Sequence, residues 1–481
     1  MYLKSAFNKY RSSPVQMKAS LWYAICNILQ KGISFIVIPI YVRLLTTSEY
    51  GHYSVFISWK DIVIIFATLN LYCGVFTKAI VDYKNDRDRY TSCMQGLSTV
   101  ITIVVFFIYL LTDQFWETLL DVSSPVMLLL FVYFIFYPAF SFWSVRQRVE
   151  NKYQKMVFVT LLTAIATPVL SIVLLYMTDL REYAVILGYL IIQCVTGLIF
   201  YIYQFYKGKV FFIKEYWLNS LKFNIPLIPH YLSLIILGQA DRVMIDYLCG
   251  SDKVAIYNLA YQVSMAITII ISAINNALVP WCYEKLKQKE YDTINNITYK
   301  LCLVLFFCTI GIMLIAPEVV GILGTSDYRD AVWIIPSVTI SCYFTFCYNL
   351  FSVIEFYYNA TRFVMVASTI GAILNVILNA VFIPIIGFIA AGYTTMICYL
   401  AFMFMHYYFM KKICQKEMDH VIPFNMKFII FSTLLLLVIV VVCLFIYQNH
   451  IIRYLCLILI FIFMVFNRNY LKNLLKEMKG D

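Results

Sequence analysis

The 481-residue sequence is short of charge. Asp, Glu, Lys and Arg make up 13% of it, where a soluble globular protein carries roughly 25%. Hydrophobic residues reach 62%, which excludes an ordinary soluble enzyme and a disordered chain. Glycine is scarce, with 16 residues, so a collagen-like chain is excluded. The 14 cysteines contain no CxxC pair, and most lie inside apolar runs (Cys302, Cys308, Cys342, Cys347, Cys398, Cys443, Cys456). They read as small hydrophobes, not as a metal, redox or disulfide framework. A Walker A loop, an HExxH and a GxSxG are all absent. No catalytic residues, metal or cofactor are therefore expected. The first 20 residues are basic and polar without an apolar centre, so a cleavable signal peptide is not expected.

What the sequence has is long apolar runs such as TLLLLVIVVVCLFIY (433–447). Their continuity favours helices over barrel strands, which alternate polar and apolar residues. At about 20 residues per crossing, fourteen spans are expected: 18–42, 50–76, 91–112, 123–145, 155–178, 182–206, 219–246, 253–281, 298–317, 331–357, 362–385, 387–410, 426–447 and 450–467. Loops between them are short, and no soluble domain fits.

Charge placement tests that count. With the N-terminus inside, the inner segments hold 29 of the 37 Lys and Arg, the outer loops six and the spans two. Such a bias is the positive-inside signature. It predicts both termini in the cytoplasm, and it explains the net charge of +11 without nucleic acid.

The chain also resembles itself at an offset of about 205 residues. LLTTSEYGHYSV (44–55) matches YLCGSDKVAIYNL (247–259), NKYQKMVF (151–158) matches NATRFVM (359–365), and Thr167 and Ser171 align with Asn375 and Asn379. Spans 1–6 and 7–12 therefore read as parallel copies of one unit. The expected architecture is all-α and polytopic: two six-helix lobes around a central cavity, with two added helices. In residues, this gives a cytoplasmic N-tail 1–17, a lobe 18–206, a cytoplasmic linker 207–218, a second lobe 219–410, two helices in 411–467 and a cytoplasmic tail 468–481.

Ionisable residues inside spans are costly and mark functional positions. Lys31 and Lys60 lie at similar depth in spans one and two. Two ammonium groups there would form a cationic pocket for an anionic head group such as a pyrophosphate. The bland reading of Lys31 is a pair with Asp61. Asp61 and Glu355 are the candidates for ion coupling or a local ion pair, Glu355 with Arg362. Pro226 and Pro229 kink the seventh span, and Asp241 with Arg242 near its outer end reads as an ion pair or gate. His406 reads as helix packing. The aromatic run FVYFIFYPAFSFW (131–143) is dense enough to line a sugar or lipid path, with no single ring singled out.

These motifs resemble one known group. The segment 223–264, with its Pro-rich seventh span, Asp-Arg and Ala-Ile-Tyr opening the eighth, is similar to the signature of bacterial polysaccharide-type flippases. LLTTSEYGHYSV and ILNVILNAVFIPIIGFIAAGYTT (373–395) resemble two further motifs of that group, in the same order. Ala255 stands where the family usually has Gly. The group belongs to the multidrug, oligosaccharidyl-lipid and polysaccharide exporter superfamily. The resemblance implies an inner-membrane transporter, not an enzyme. It would flip an undecaprenyl-pyrophosphate-linked oligosaccharide by alternating access, for O-antigen, capsule or exopolysaccharide. Expected partners are that substrate, membrane lipids, a polysaccharide polymerase and a chain-length regulator. Alternatives are a multidrug or cation antiporter, which Asp61 leaves open, a lipid II flippase, and a membrane polymerase or ligase. The last would need a large outer loop.

Overall fold

The structure is a computed structural model describing residues 14–120 and 122–466. Most of the expected N-tail and the whole tail 468–481 lie outside the described residues. The described chain is helical and contains no strand. An all-helical answer follows from the apolar sequence, because in lipid each backbone N–H and C=O must find its partner within its own segment.

The helices are α1 (Val15–Leu44), α2 (Thr47–Thr68), α3 (Val75–Asp82), α4 (Arg87–Leu111), α5 (Asp113–Leu120), α6 (Ser124–Val149), α7 (Tyr153–Met177), α8 (Arg181–Gly208) and α9 (Lys214–Asn224). They continue with α10 (Ile228–Cys249), α11 (Ser251–Met265), α12 (Ile267–Lys287), α13 (Tyr291–Leu314), α14 (Ala316–Leu323), α15 (Ile335–Tyr357), α16 (Thr361–Ile386), α17 (Ala390–Glu417), α18 (Met426–Ile446) and α19 (His450–Phe466). Among the described residues, eleven spans are long and apolar enough to cross a membrane, counting α9–α10 and α11–α12 as continuous. α2, α17 and α19 fall short of that measure and stand where the sequence predicts the other three of fourteen spans. α2 carries Lys60 and Asp61 mid-helix, α17 ends in a basic run, and α19 has 17 residues. The protein is a multi-pass membrane protein.

Two segments depart from the expected spans. The second span stops at Thr68 instead of 76, where Leu69 and Asn70 adopt φ of 49° and 48°. The seventh breaks at a 3-10 turn, Ile225–Leu227, at the site of Pro226. Proline cannot supply the helical N–H and its ring clashes with the preceding turn. The two breaks are joined, because the Asn224 amide donates to the Leu69 carbonyl.

The chain forms two compact units. The first runs to Leu45 and takes in His52–Ile235; the second takes in Thr46–Gly51 and the described chain from Ile236 on. The division thus falls inside α10, not in the 207–218 segment. In the first unit α8 packs on α6 and α7, and α4 on α6. In the second, α17 packs on α15 and α16, and α13 on α15, with α18 and α19 against α13. The leading contacts of the two units are therefore the same ones, six spans apart. Small residues permit these close approaches: Gly197 lies against the Phe136 backbone and Gly392 against Ser337. The two matching turns of the repeat also meet in the second unit. A side chain on Gly51 would strike the Ser251 carbonyl, and Asn258 donates to the Tyr50 hydroxyl at 3.1 Å.

Candidate functional site

In the first unit, α2 carries Lys60 into the interior with 7% of its surface exposed. Its Nζ lies 2.8 Å from Asp61 Oδ1 and donates to the Tyr189 hydroxyl at 3.1 Å. The ammonium also stands 5.0 Å from the Tyr189 ring centroid and 5.7 Å from that of Tyr133. Both aromatic distances are within the range at which a ring face attracts a cation. Tyr133 packs on Tyr137 (4.9 Å between centroids), and Tyr137 on Tyr72 (6.2 Å, edge-on). The unit thus holds a lysine and a partly exposed carboxylate at one end of a run of four tyrosines. Tyr133 and Tyr137 are one helical turn apart on α6, so their shared face was legible in the aromatic run. Tyr189 arrives from α8 and left no local signal.

Lys31 is exposed on α1, and Asp61, the carboxylate suggested as its partner, lies 2.8 Å from the Lys60 ammonium. Pro226 is exposed at the 3-10 turn and Pro229 in the first turn of α10, so the expected kink is where the sequence placed it.

The second unit contains a polar cluster built on Asp241. This carboxylate is 1% exposed. Its Oδ1 accepts from Asn375 (3.0 Å) and Asn379 (2.6 Å) on α16. Its Oδ2 accepts from Tyr257 (2.5 Å) on α11 and Thr395 (2.7 Å) on α17. Thr394 in turn donates to the Asn379 carbonyl oxygen. Arg242 points elsewhere: its Nε donates to Asn258 at 3.1 Å, its Nη1 to Gly238 O at 3.0 Å, and its guanidinium lies 4.4 Å from the Tyr261 ring centroid. The ion pair expected between Asp241 and Arg242 is therefore not formed: Asp241 is taken up by four neutral donors and the guanidinium by Asn258, Gly238 O and the Tyr261 ring. Among the described residues no three His, Cys, Asp or Glu side chains gather into a metal cluster. The Asp241 cluster balances a buried charge with four neutral donors.

Glu355 also has a partner other than the one expected. The Arg362 side chain lies outside the described residues. Glu355, fully buried on α15, meets His406 Nδ1 at 2.9 and 3.0 Å. His406 stacks on Tyr348 and stands edge-on to Phe402, so its role is not packing alone. His406 and Glu355 are 51 residues apart on different helices, which is why the sequence did not pair them. His406→Phe strands a buried carboxylate and is expected to cost about 3 kcal/mol. Adding Glu355→Leu is expected to restore most of that loss, as thermal melts of the single and double variants would record.

Comparison with known proteins places this geometry. Residues 17–286 match the family model described as "Polysaccharide biosynthesis protein", and 226–381 match the MatE model. A protein of the Lsg locus of Haemophilus influenzae is 23% identical over 297 residues, 57% of this chain and 67% of that protein. An uncharacterised membrane protein of the same organism is 25% identical, over 56% of this chain and 66% of its own length. Among solved structures, the lipid II flippase MurJ in an inward-closed conformation gives a TM-score of 0.67 at 16% identity, over 94% of this chain and 99% of that one. A MOP-superfamily transporter from Pyrococcus furiosus, described by the reverse polarity of its binding pocket, gives 0.57 at 14% identity, over 84% and 98%. The fold is shared with both.

Proposed function

Because the chain belongs to the polysaccharide biosynthesis protein family, we propose that it is a transporter that flips a lipid-pyrophosphate-linked oligosaccharide across the bacterial inner membrane by alternating access. The product would feed O-antigen, capsule or exopolysaccharide assembly. The observation that carries the reading is the buried Lys60 at the end of a tyrosine run. A cation inside a span suits a phosphate group, and tyrosine faces with hydroxyl tips suit sugar. Fold likeness to a lipid II flippase agrees with a lipid-linked substrate.

The geometry adds a mechanism. In this conformation Asp61 neutralises Lys60 at 2.8 Å. An arriving pyrophosphate competes with Asp61 for the ammonium, and the return of Lys60 to Asp61 expels the substrate. Lys31, exposed on the preceding helix, would supply a second charge as the substrate arrives. Asp241 is the complementary coupling site in the second unit, with Pro226 and Pro229 as the hinge. A polymerase and a chain-length regulator would take the sugar on the far side.

Reconstituted protein, given a short-chain lipid-pyrophosphate oligosaccharide, tests this. Lys60→Met is expected to lower transport at least about tenfold, since a hydrogen bond to a charged group is worth roughly 1.5–3 kcal/mol. Asp61→Asn is expected to retain substrate binding and to slow turnover, because the ammonium loses the carboxylate it returns to. Wild-type rates in both variants would sink the proposal. A cation antiporter would instead depend on Asp61 and tolerate Lys60→Met.

A further inference from the structure

A cavity of about 470 Å³ opens in the second unit, remote in sequence from Asp241 and from the Glu355–His406 pair. It is framed by α14, by the 3-10 segment Ser326–Trp333 and by the turn after α18. On the orientation given by the loop charges, all three belong to the outer side. The volume lies within the roughly 300–1,000 Å³ of small-molecule sites.

Its wall is aromatic and its mouth polar. Trp333 and Tyr447 pack with centroids 5.9 Å apart. The Tyr447 hydroxyl donates to Met313 O at 2.7 Å, which holds that ring, and the Trp333 backbone carbonyl accepts from Tyr393 at 3.1 Å. Arg329 and Asp330 also line the cavity and are exposed. Among the described residues neither side chain makes a hydrogen bond or ion pair. Gln448 adds an amide. Gly321 lines the space without a side chain, and a Cβ there would meet nothing within 4 Å.

We propose that this cavity is an outer carbohydrate subsite, taking one or two sugar rings of the oligosaccharide as it emerges. The partly exposed indole of Trp333, packed against the largely buried Tyr447 ring, offers a flat apolar face to the C–H side of a pyranose. A guanidinium, a carboxylate and an amide supply the planar, paired donors and acceptors that neighbouring hydroxyls require. One charge of each sign at the mouth accommodates a neutral sugar or a singly acidic one. This subsite rests on the transport reading for its biological meaning, while its chemistry can be tested alone.

The test uses the full chain in lipid nanodiscs, titrated with lactose, N,N′-diacetylchitobiose and digalacturonate by saturation-transfer NMR. At least one is expected to bind with a millimolar dissociation constant. Trp333→Ala and Gly321→Leu are each expected to weaken it about tenfold or more. Gly321→Leu fills the cavity from a helical position where leucine is the better helix former, so its thermal midpoint should not fall. No binding by any probe up to about 50 mM, or binding indifferent to both substitutions, overturns the subsite. Transport of the lipid-linked oligosaccharide by the same preparation is scored separately. Transport without sugar binding removes the subsite and leaves the transport reading intact. Sugar binding sensitive to Gly321→Leu without transport supports the subsite and removes that reading.

Discussion

Asp241→Asn is expected to lower transport by about 100-fold, the upper part of the range for a coupling free energy between sites, while leaving thermal stability unchanged or raised. The geometry separates the two effects. Asp241 Oδ1 takes the two asparagine amides and Oδ2 takes the two hydroxyls. An asparagine placed with its oxygen toward Asn375 and Asn379 turns its NH₂ to Tyr257 and Thr395, whose hydroxyls rotate to accept. Every hydrogen bond survives and only the charge goes. A buried carboxylate balanced by neutral donors costs folding free energy, so its removal relieves the fold. Asp241→Ala should behave differently, stranding four buried donors at about 1–3 kcal/mol each. Thermal melts beside transport rates for the two variants check the argument. Asp241→Asn that transports normally would make the cluster purely structural.

The same cluster shows why the halves of the repeat are not equivalent. The sequence offset aligns Asn375 and Asn379 with Thr167 and Ser171. In the first unit those positions are hydroxyls, and α1 has no carboxylate to face them. The first unit places its buried charge on Lys60 instead. One unit therefore carries its buried charge as a cation and the other as an anion.

Most of the fold was legible because it is written in local pattern. The fourteen apolar runs each became a helix or a pair of helices, eleven of them apolar and long enough to span a membrane, and Pro226 became a break. Lys60 and Asp61 stood out as charges in an apolar segment, though the sequence alone offers Asp61 to Lys31 and not to its neighbour. Partners distant in sequence were not legible. Tyr189 comes to Lys60 across 129 residues, and Thr395 comes to Asp241 across 154. Nothing in a helical period specifies which face of a distant helix will meet it. Adjacency misled at Asp241 and Arg242, where neighbouring charges of opposite sign suggested a pair but distant side chains on other helices take up each of them. The outer cavity left no signal, because it is assembled from an eight-residue 3-10 segment, a short helix and an interhelix turn.

Glu318→Gln should be among the most destabilising conservative changes in the chain. Arg453, in the first turn of α19, has no solvent exposure. Its Nη1 and Nη2 donate to the two Glu318 oxygens at 2.7 and 2.8 Å, and Nη1 also reaches Leu314 O. This fork fastens α19 to α14 and so braces the cavity wall. Removing the carboxylate charge leaves a buried guanidinium uncompensated, at a cost of about 3 kcal/mol. That is the low end for such pairs, because Glu318 is itself 31% exposed. Arg453→Met combined with Glu318→Leu should lose far less than the single change, since apolar replacement of a buried pair is often neutral. The Arg453 Nε, buried without a hydrogen-bond partner, leans the same way. Acidity gives an independent reading. Burial pushes the Glu318 carboxyl up, but hydrogen bonds from Arg453 and Tyr454 outweigh it and hold the group below its usual 4.5. A lowered folded-state value means the pair's stabilisation is present above the unfolded-state value and lost as pH falls through the folded one. The wild-type melting temperature should thus decline on acidification below about pH 4.5, and the part of that decline owed to this pair should vanish in the Met–Leu double variant. A double variant that melts as low as Glu318→Gln alone would show that the fork's geometry, not its charge balance, holds the last helix in place.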